Sequence, residues 1–216
     1  FKHIKHYFPS TKIPQVITLT NNVDYQIKTV YSDSLLLISL DTFLGADNIL
    51  YEGIPNYVRK ELDQKYIPSQ IVQKFSAYVI PPLDNRTFLA HMLHEGKKLF
   101  LQDLLLPQDE DIIKIAYSKN ELDWVIKNEV YIWKFFIEKQ LLYSTDIELV
   151  ERFIESAPFS KFYLQLDNES PGKIGRWIGW QIIRSFNENN PDFPLQKLLN
   201  MSSQKIFNQS RYKPKQ

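Results

Sequence analysis

The first third of the chain alternates short apolar runs with polar turn signals. The segments PQVITLT, VDYQIKTVY and SLLLISLD are rich in β-branched and aromatic residues, and NN and SDS separate them. Runs of this composition, bounded by Asn, Asp and Ser, are typical of β-strands joined by tight turns. The pattern predicts a small three-stranded β-meander over residues 15–41. A helix is predicted before it, in FKHIKHYFP, ending at Pro9.

From Pro55 onward the apolar residues recur at helical spacing. Ser118 and Glu121 have the spacing of a capping box, and Ser170 before Pro171 predicts an N-cap followed by proline at the first helical position. The fold class expected is α+β, one domain over residues 1–216 in which a small sheet precedes a helical array. The predicted helices cover residues 55–62, 68–79, 84–106, 119–142, 146–155 and 171–189, with short pieces up to 209.

Composition excludes several classes of protein. The net charge of +1 over 216 residues argues against a nucleic-acid partner, because phosphate recognition needs a clustered basic excess. No cysteine is present, so disulfides, thiolate zinc sites and thiol nucleophiles are excluded. No apolar run reaches the roughly 18 residues of a membrane span. The chain begins at Phe1 without a signal-like segment, so we expect it to be part of a longer protein.

The segment HMLHEGKKLF places His91, His94 and Glu95 close together on a predicted helix. A helical zinc peptidase needs His-Glu-x-x-His, whose two imidazoles are four residues apart. Here the histidines are three residues apart, and Met92 stands where the general base would follow His91. A helical wheel puts His91, Lys98 and Gln102 opposite the apolar stripe, with Glu95 at its edge. The pattern favours a solvated helix face over a metal site.

Two carboxylates fall on apolar faces of predicted helices. Asp103 lies in the stripe of Met92 and Leu99, and Glu129 lies between Val125 and Trp133. A buried acid needs a partner or a raised pKa. We expect a structural partner for each, such as an arginine or a helix-end amide, rather than catalysis.

The segment ESPGKIGRWIGWQIIRSF is the most distinctive in the chain. Gly172, Gly175 and Gly179 fall on one side of the predicted helix, where glycine costs up to about 1 kcal/mol relative to alanine. The glycines therefore predict a closely packed neighbouring element; a ligand-facing role is the alternative. On the other side, a candidate edge for a partner protein consists of Trp180 with its flanking cations, Lys173, Arg176 and Arg184.

Several long segments resemble the GldB family of gliding-motility lipoproteins from Bacteroidetes. They include RTFLAHMLHEGKKLFLQDLLLP, KQLLYSTD, APFSKFYLQLDNESPGKIGRWIGWQIIRSF and IFNQSRYKP, and the resemblance covers essentially the whole chain in order. It implies a protein of the cell envelope, on its periplasmic side, required for gliding. It also implies a lipid anchor on an N-terminal cysteine, a segment absent from this chain, as the only membrane attachment.

A more distant resemblance concerns predicted zinc peptidases of zincin-like fold. FLAHMLHEGKKLF is similar to the Glu-Gly helix of that group, which matches Glu95-Gly96 to its third ligand and neighbour. The two-histidine helix would then lie in PSQIVQKFSAYVI, which has no histidine. Alternatively, residues 84–106 are themselves the metal helix, with Met92 in place of the essential Glu. Either alignment implies an incomplete metal set, so we expect no cofactor and no metal.

The leading hypothesis is a non-catalytic domain that supports gliding, and type IX secretion with it, by binding other proteins of those systems. Two alternatives stay open: a divergent zinc hydrolase acting on envelope peptides or peptidoglycan, and a purely structural domain. The candidate groove and partner-binding residues are His91, His94, Glu95, Asp103, Glu129, Arg176, Trp180 and Arg184.

Overall fold

The computed structural model describes residues 1–164 and 167–214, which fall into two compact units. Unit 1 comprises Phe1–Val79 and Leu101–Ala116, and unit 2 comprises Ile80–Phe100 and Tyr117–Gln216. The α+β class is confirmed. That the whole chain folds as one domain stays a prediction.

The strands are β1 (Gln15–Leu19), β2 (Thr29–Tyr31) and β3 (Leu35–Ser39). The helices of the described residues are α1 (Lys2–Tyr7), α2 (Asn56–Arg59), α3 (Ile67–Val79), α4 (Phe88–Leu105), α5 (Asp111–Ile115), α6 (Lys119–Glu138), α7 (Glu148–Phe153), α8 (Ile174–Asn189), α9 (Leu195–Asn200) and α10 (Ser203–Ser210).

The three predicted strands are confirmed, but the predicted meander is wrong. The strand order is β1-β3-β2, with β1 parallel to β3 and β2 antiparallel to it. The second predicted strand is mostly a turn, because the Asp41 carboxylate accepts hydrogen bonds from the amides of Asn21 and Val23. Asn22 and Val23 have φ of 59° and 57°, outside the strand region. Only the last three residues of that segment, Thr29–Tyr31, form a strand, and they pair with β3.

Unit 1 packs α3 against one face of the sheet. Leu36 and Ile38 of β3 point into this core with Phe43, and Ile67 and Ile71 lie against them. Strand β3 has a buried residue at every second position from Leu36, which is the pattern expected of a strand with one covered face. A polar connection crosses the same unit: Ser69 donates to the Gln102 side chain, 2.8 Å away.

Unit 2 is an array of helices around an aromatic core. Phe88 of α4, Phe136 of α6 and Phe153 of α7 meet edge to face, with ring centroids 5.1–5.2 Å apart along the series. The predicted capping box of α6 is confirmed, since Ser118 and Glu121 each accept a hydrogen bond from the other's backbone amide. The contacts of Phe88 hold the start of α4, which carries the candidate site, against α6 and α7.

The predicted N-cap of α8 is wrong. The helix begins at Ile174 and its N-cap is Lys173, with a left-handed φ of 62°. The Ser170 hydroxyl is bound elsewhere, because it donates to the carbonyl oxygens of Ser160 and Asp167. Gly172 therefore precedes the helix instead of lying on its face.

The close packing predicted for the glycines is confirmed. A methyl group on Gly179 of α8 would overlap the Met92 carbonyl of α4, and one on Gly96 would overlap the Gly179 carbonyl. A methyl group on Gly172 would overlap the carbonyl of Ala157. Helices α4 and α8 thus touch backbone to backbone at this point.

Candidate functional site

A polar cavity of about 80 Å³ lies beside α4 in unit 2. Its walls are the loop 81–84, four residues of α4 and four residues from the end of α9 to the start of α10. The α4 residues are Ala90, Leu93, His94 and Lys97, and the others are Leu199, Asn200, Met201 and Ser203. A volume of this size holds more than one water molecule. His94, one of the residues predicted from sequence, lines it.

Lys97 is the buried cation of this cavity, with 8% of its surface exposed. Its Nζ donates to the carbonyl oxygens of Leu199 and Met201, both at 2.9 Å. These carbonyls lie at the C-terminal end of α9, where the last carbonyl groups of a helix have no N–H donor within the helix. Burial lowers the pKa of Lys97 to about 8, against the opposing charge of Asp84. The lysine therefore closes the end of α9 and keeps one N–H bond beyond these two.

Asp84 fixes the opposite wall. Its carboxylate accepts hydrogen bonds from the backbone amide and the hydroxyl of Ser203, each at 3.0 Å. Asn85 donates to the same hydroxyl at 3.2 Å. This network ties the loop before α4 to the start of α10, so the wall is held by charge-assisted hydrogen bonds.

The imidazole ring of His94, inside α4, makes no hydrogen bond to any part of the chain that the structure describes. Burial, followed by the positive charge of Lys98, lowers the pKa of its imidazole to about 4. Burial also lowers the pKa of His91, with Glu95 opposing. Both rings are therefore uncharged near neutral pH, and the partly buried His94 ring lines the cavity.

Glu95 is held by two cations, not by His91. Its Oε1 is 2.5 Å from Lys98 Nζ, and its Oε2 is 3.6 Å from Arg176 Nε. Burial raises the pKa of Glu95, but Arg176 and Lys98 outweigh it and hold the pKa below its ordinary value. Arg176 is itself anchored by a hydrogen bond to the Ile154 carbonyl. Among residues 1–164 and 167–214, no group of three or more His, Asp or Glu side chains could hold a metal ion.

The two predicted acids each have structural partners, as expected, although of other kinds. Asp103, in unit 1, pairs with Lys114 at 2.9 Å. Glu129, in unit 2, accepts hydrogen bonds from the Trp177 indole and the Tyr212 hydroxyl, both at 2.9 Å. Neither acid lines the cavity beside α4.

Two surface predictions are wrong. The Trp180 side chain is fully buried, with the Arg184 guanidinium 3.7 Å from its ring centroid, so it offers no exposed edge. The glycine contacts draw α8 into the unit and bury most of its circumference. Gln102, expected on the solvated side, is also fully buried and donates to the Lys114 carbonyl at 3.2 Å.

Sequence reasoning missed Lys97, Asp84 and Ser203. A signal for Lys97 exists, because it follows Leu93 by four residues and a helix places both on one side. The pairing of Asp84 with Ser203 joins positions 119 residues apart and has no local signature.

Comparison with protein families identifies one match: the family described as gliding motility protein GldB matches residues 1–214. No curated protein and no solved structure matches the chain. None of the helices in the described part of the chain has both the length and the apolar composition needed to cross a membrane. The zincin-like resemblance stays a prediction.

Proposed function

The chain belongs to the gliding motility protein GldB family, and we propose that it supports gliding as a non-catalytic, lipid-anchored component of the bacterial cell envelope. The family match over residues 1–214 carries this proposal. The family is one of lipoproteins, which suggests attachment to an envelope membrane, and we place the domain on the periplasmic side.

The mode of action that we propose is binding. In unit 2, the partly exposed His91 and Lys98 belong to α4, the helix whose His94 and Lys97 line the cavity. The charge of Glu95 is balanced by Lys98 and Arg176, as is common for a carboxylate with a structural role. A general base needs a pKa near the working pH, whereas these cations hold the pKa of Glu95 below its ordinary value. The groups at the cavity are suited to hydrogen-bonding a partner.

The partners that we propose are other gliding proteins and components of type IX secretion. The domain would hold such a partner against the polar surface formed by His91, His94 and Lys98. Cross-linking in the envelope, from a photoreactive residue placed at position 91, identifies them: gliding or secretion proteins are expected among the products.

The experiment that tests the function replaces the chromosomal gene with a His91→Ala/Lys98→Ala variant. This pair removes polar surface but leaves Glu95 with Arg176. Colony spreading is expected to be lost. Because Lys98 is one of the two cations that pair with Glu95, the melting temperature of the purified domain should fall by several degrees, with the domain still folded at the growth temperature. The matched control is Lys134→Ala/Glu138→Ala, an exposed ion pair of α6. It is expected to leave gliding unchanged.

Native spreading by the folded His91→Ala/Lys98→Ala variant would overturn binding at this surface and favour the purely structural role. Secretion of type IX cargo into the medium, measured in the same strains, tests the proposed link. Normal secretion in non-gliding cells would remove that link and leave the gliding role standing.

A further inference from the structure

We propose that the cavity beside α4 is a carboxylate-binding site, in which Lys97 and His94 donate to the two oxygens of the ligand. The inference rests on the proposed binding function and names the chemistry that the site recognises. The carboxylate belongs either to a small organic acid or to the C-terminus of a peptide.

Lys97 supplies the charge. Its ammonium has three N–H donors, of which the carbonyls of Leu199 and Met201 take two. Its side chain is buried in the cavity wall, where a hydrogen bond to an anionic oxygen is stronger than in water.

His94 supplies the second donor. Its ring lines the same cavity, and within the described ranges neither nitrogen has a hydrogen-bond partner. The ring is partly buried, so a ligand in the cavity would replace water at its nitrogens. An ammonium and an imidazole on adjoining turns of one helix suit the two oxygens of a planar carboxylate.

Charge and size favour a monoanion. The Asp84 carboxylate in the facing wall already accepts from Ser203, and its negative charge offsets that of Lys97. A phosphate dianion would meet repulsion there without a second fixed cation. The cavity of about 80 Å³ also fits a carboxylate with a short carbon chain, which would lie against Pro82, Leu83 and Leu93.

Binding should be coupled to proton uptake. A bound carboxylate favours the imidazolium form of His94, because opposite charges raise the pKa of a base. The titratable groups around this ring are His91, Glu95, Lys97 and Lys98 on α4 and Asp84 across the cavity. Affinity should therefore increase as the pH falls from about 7.5 to about 6, a range in which small organic acids remain ionised.

The test is a nuclear magnetic resonance titration of the purified native chain with acetate. A second arm uses a tetrapeptide with a free C-terminus and the same peptide amidated. Saturable shifts of the Lys97 side-chain and His94 ring signals are expected with acetate or with the free peptide. Binding of acetate alone assigns a small acid, and preference for the free over the amidated peptide assigns a C-terminus.

Substitutions of Lys97 and His94 test whether these two side chains bind the carboxylate. Lys97→Met and His94→Leu should each weaken binding at least about tenfold, whereas Lys134→Met, on the exposed side of α6 and outside the cavity wall, should not. If Lys97→Met does not fold, His94→Leu still decides. Equal affinity in the native chain and His94→Leu would overturn the proposal, as would the absence of carboxylate binding at about 50 mM. Gliding assays on the surface variants are independent of this outcome, so either proposal can fail alone.

Discussion

Gly96 of α4 lies directly against the Gly179 backbone of α8, with no space for a side chain on either residue. The contact brings the two helices together one residue after Glu95 and three residues after Arg176, whose side chains form an ion pair. The glycines thus set the separation across which this charge pair forms.

Gly179→Ala should lower the free energy of unfolding by about 2–3 kcal/mol. Alanine is the better helix former by about 1 kcal/mol, but its methyl group overlaps the Met92 carbonyl, and forced overpacking outweighs the gain. Chemical denaturation measures the change. Asn187→Ala on the exposed side of α8 is the control and should change stability by less than about 0.5 kcal/mol. An unchanged midpoint for Gly179→Ala would mean that the helices can separate freely.

Stability should fall as the pH is lowered from 6.5 to about 4 through His94. The folded state holds the pKa of this imidazole at about 4, and the ordinary value is 6.5, so the unfolded chain takes up the proton first. Because the ring is partly exposed, the loss should be about 1–2 kcal/mol. His94→Leu should flatten this part of the stability curve. Identical pH slopes for the native and variant chains would contradict the assignment.

Tyr212→Phe should cost about 1–3 kcal/mol of stability. The substitution removes the hydroxyl that donates to the buried Glu129 carboxylate, yet it keeps the ring that packs edge to face on Trp133. Thermal and denaturant unfolding measure the loss. Tyr131→Phe, on the same helix as Glu129 but exposed, is the matched control and should be neutral. Equal behaviour of the two variants would show that the hydroxyl contributes nothing.

Purified protein incubated with zinc and desalted should retain about zero equivalents per chain. Lys98 and Arg176 form ion pairs with the Glu95 carboxylate. A zinc ion binding beside His91 would have to displace them. Elemental analysis measures the content, and a chelator should leave the melting temperature unchanged. About one zinc per chain, lost in a His91→Ala/Glu95→Ala variant, would instead support the divergent hydrolase.

Local signals in the sequence predicted the elements well. Apolar periodicity located the three strands and the long helices, and the Ser118 capping box located the start of α6. These features depend on residues within a few positions of one another. Strand order does not: β1 lies beside β3 through pairs such as Gln15 and Leu35, which are 20 residues apart in the sequence.

The candidate site was predictable in part. The HMLHEG segment identified His91, His94 and Glu95. The wheel, however, assumed that solvent covers the side of α4 that carries His91, Lys98 and Gln102 along its whole length. Gln102 is buried where α4 meets α3, and its side chain accepts a hydrogen bond from Ser69 there. Trp180 is buried because α8 packs closely against α4. Burial of this kind depends on which elements meet, and periodicity within one helix cannot supply it.

The strand order has a consequence for the timing of folding. During synthesis β1 leaves the ribosome first, but the strand beside it in the described sheet is β3, which begins 16 residues after β1 ends. Until then Val16 and Ile17, still partly exposed in the finished fold, have no partner. A nascent chain paused in this interval therefore exposes an unpaired strand with apolar side chains. Chaperone binding to the nascent chain should be greatest during this pause.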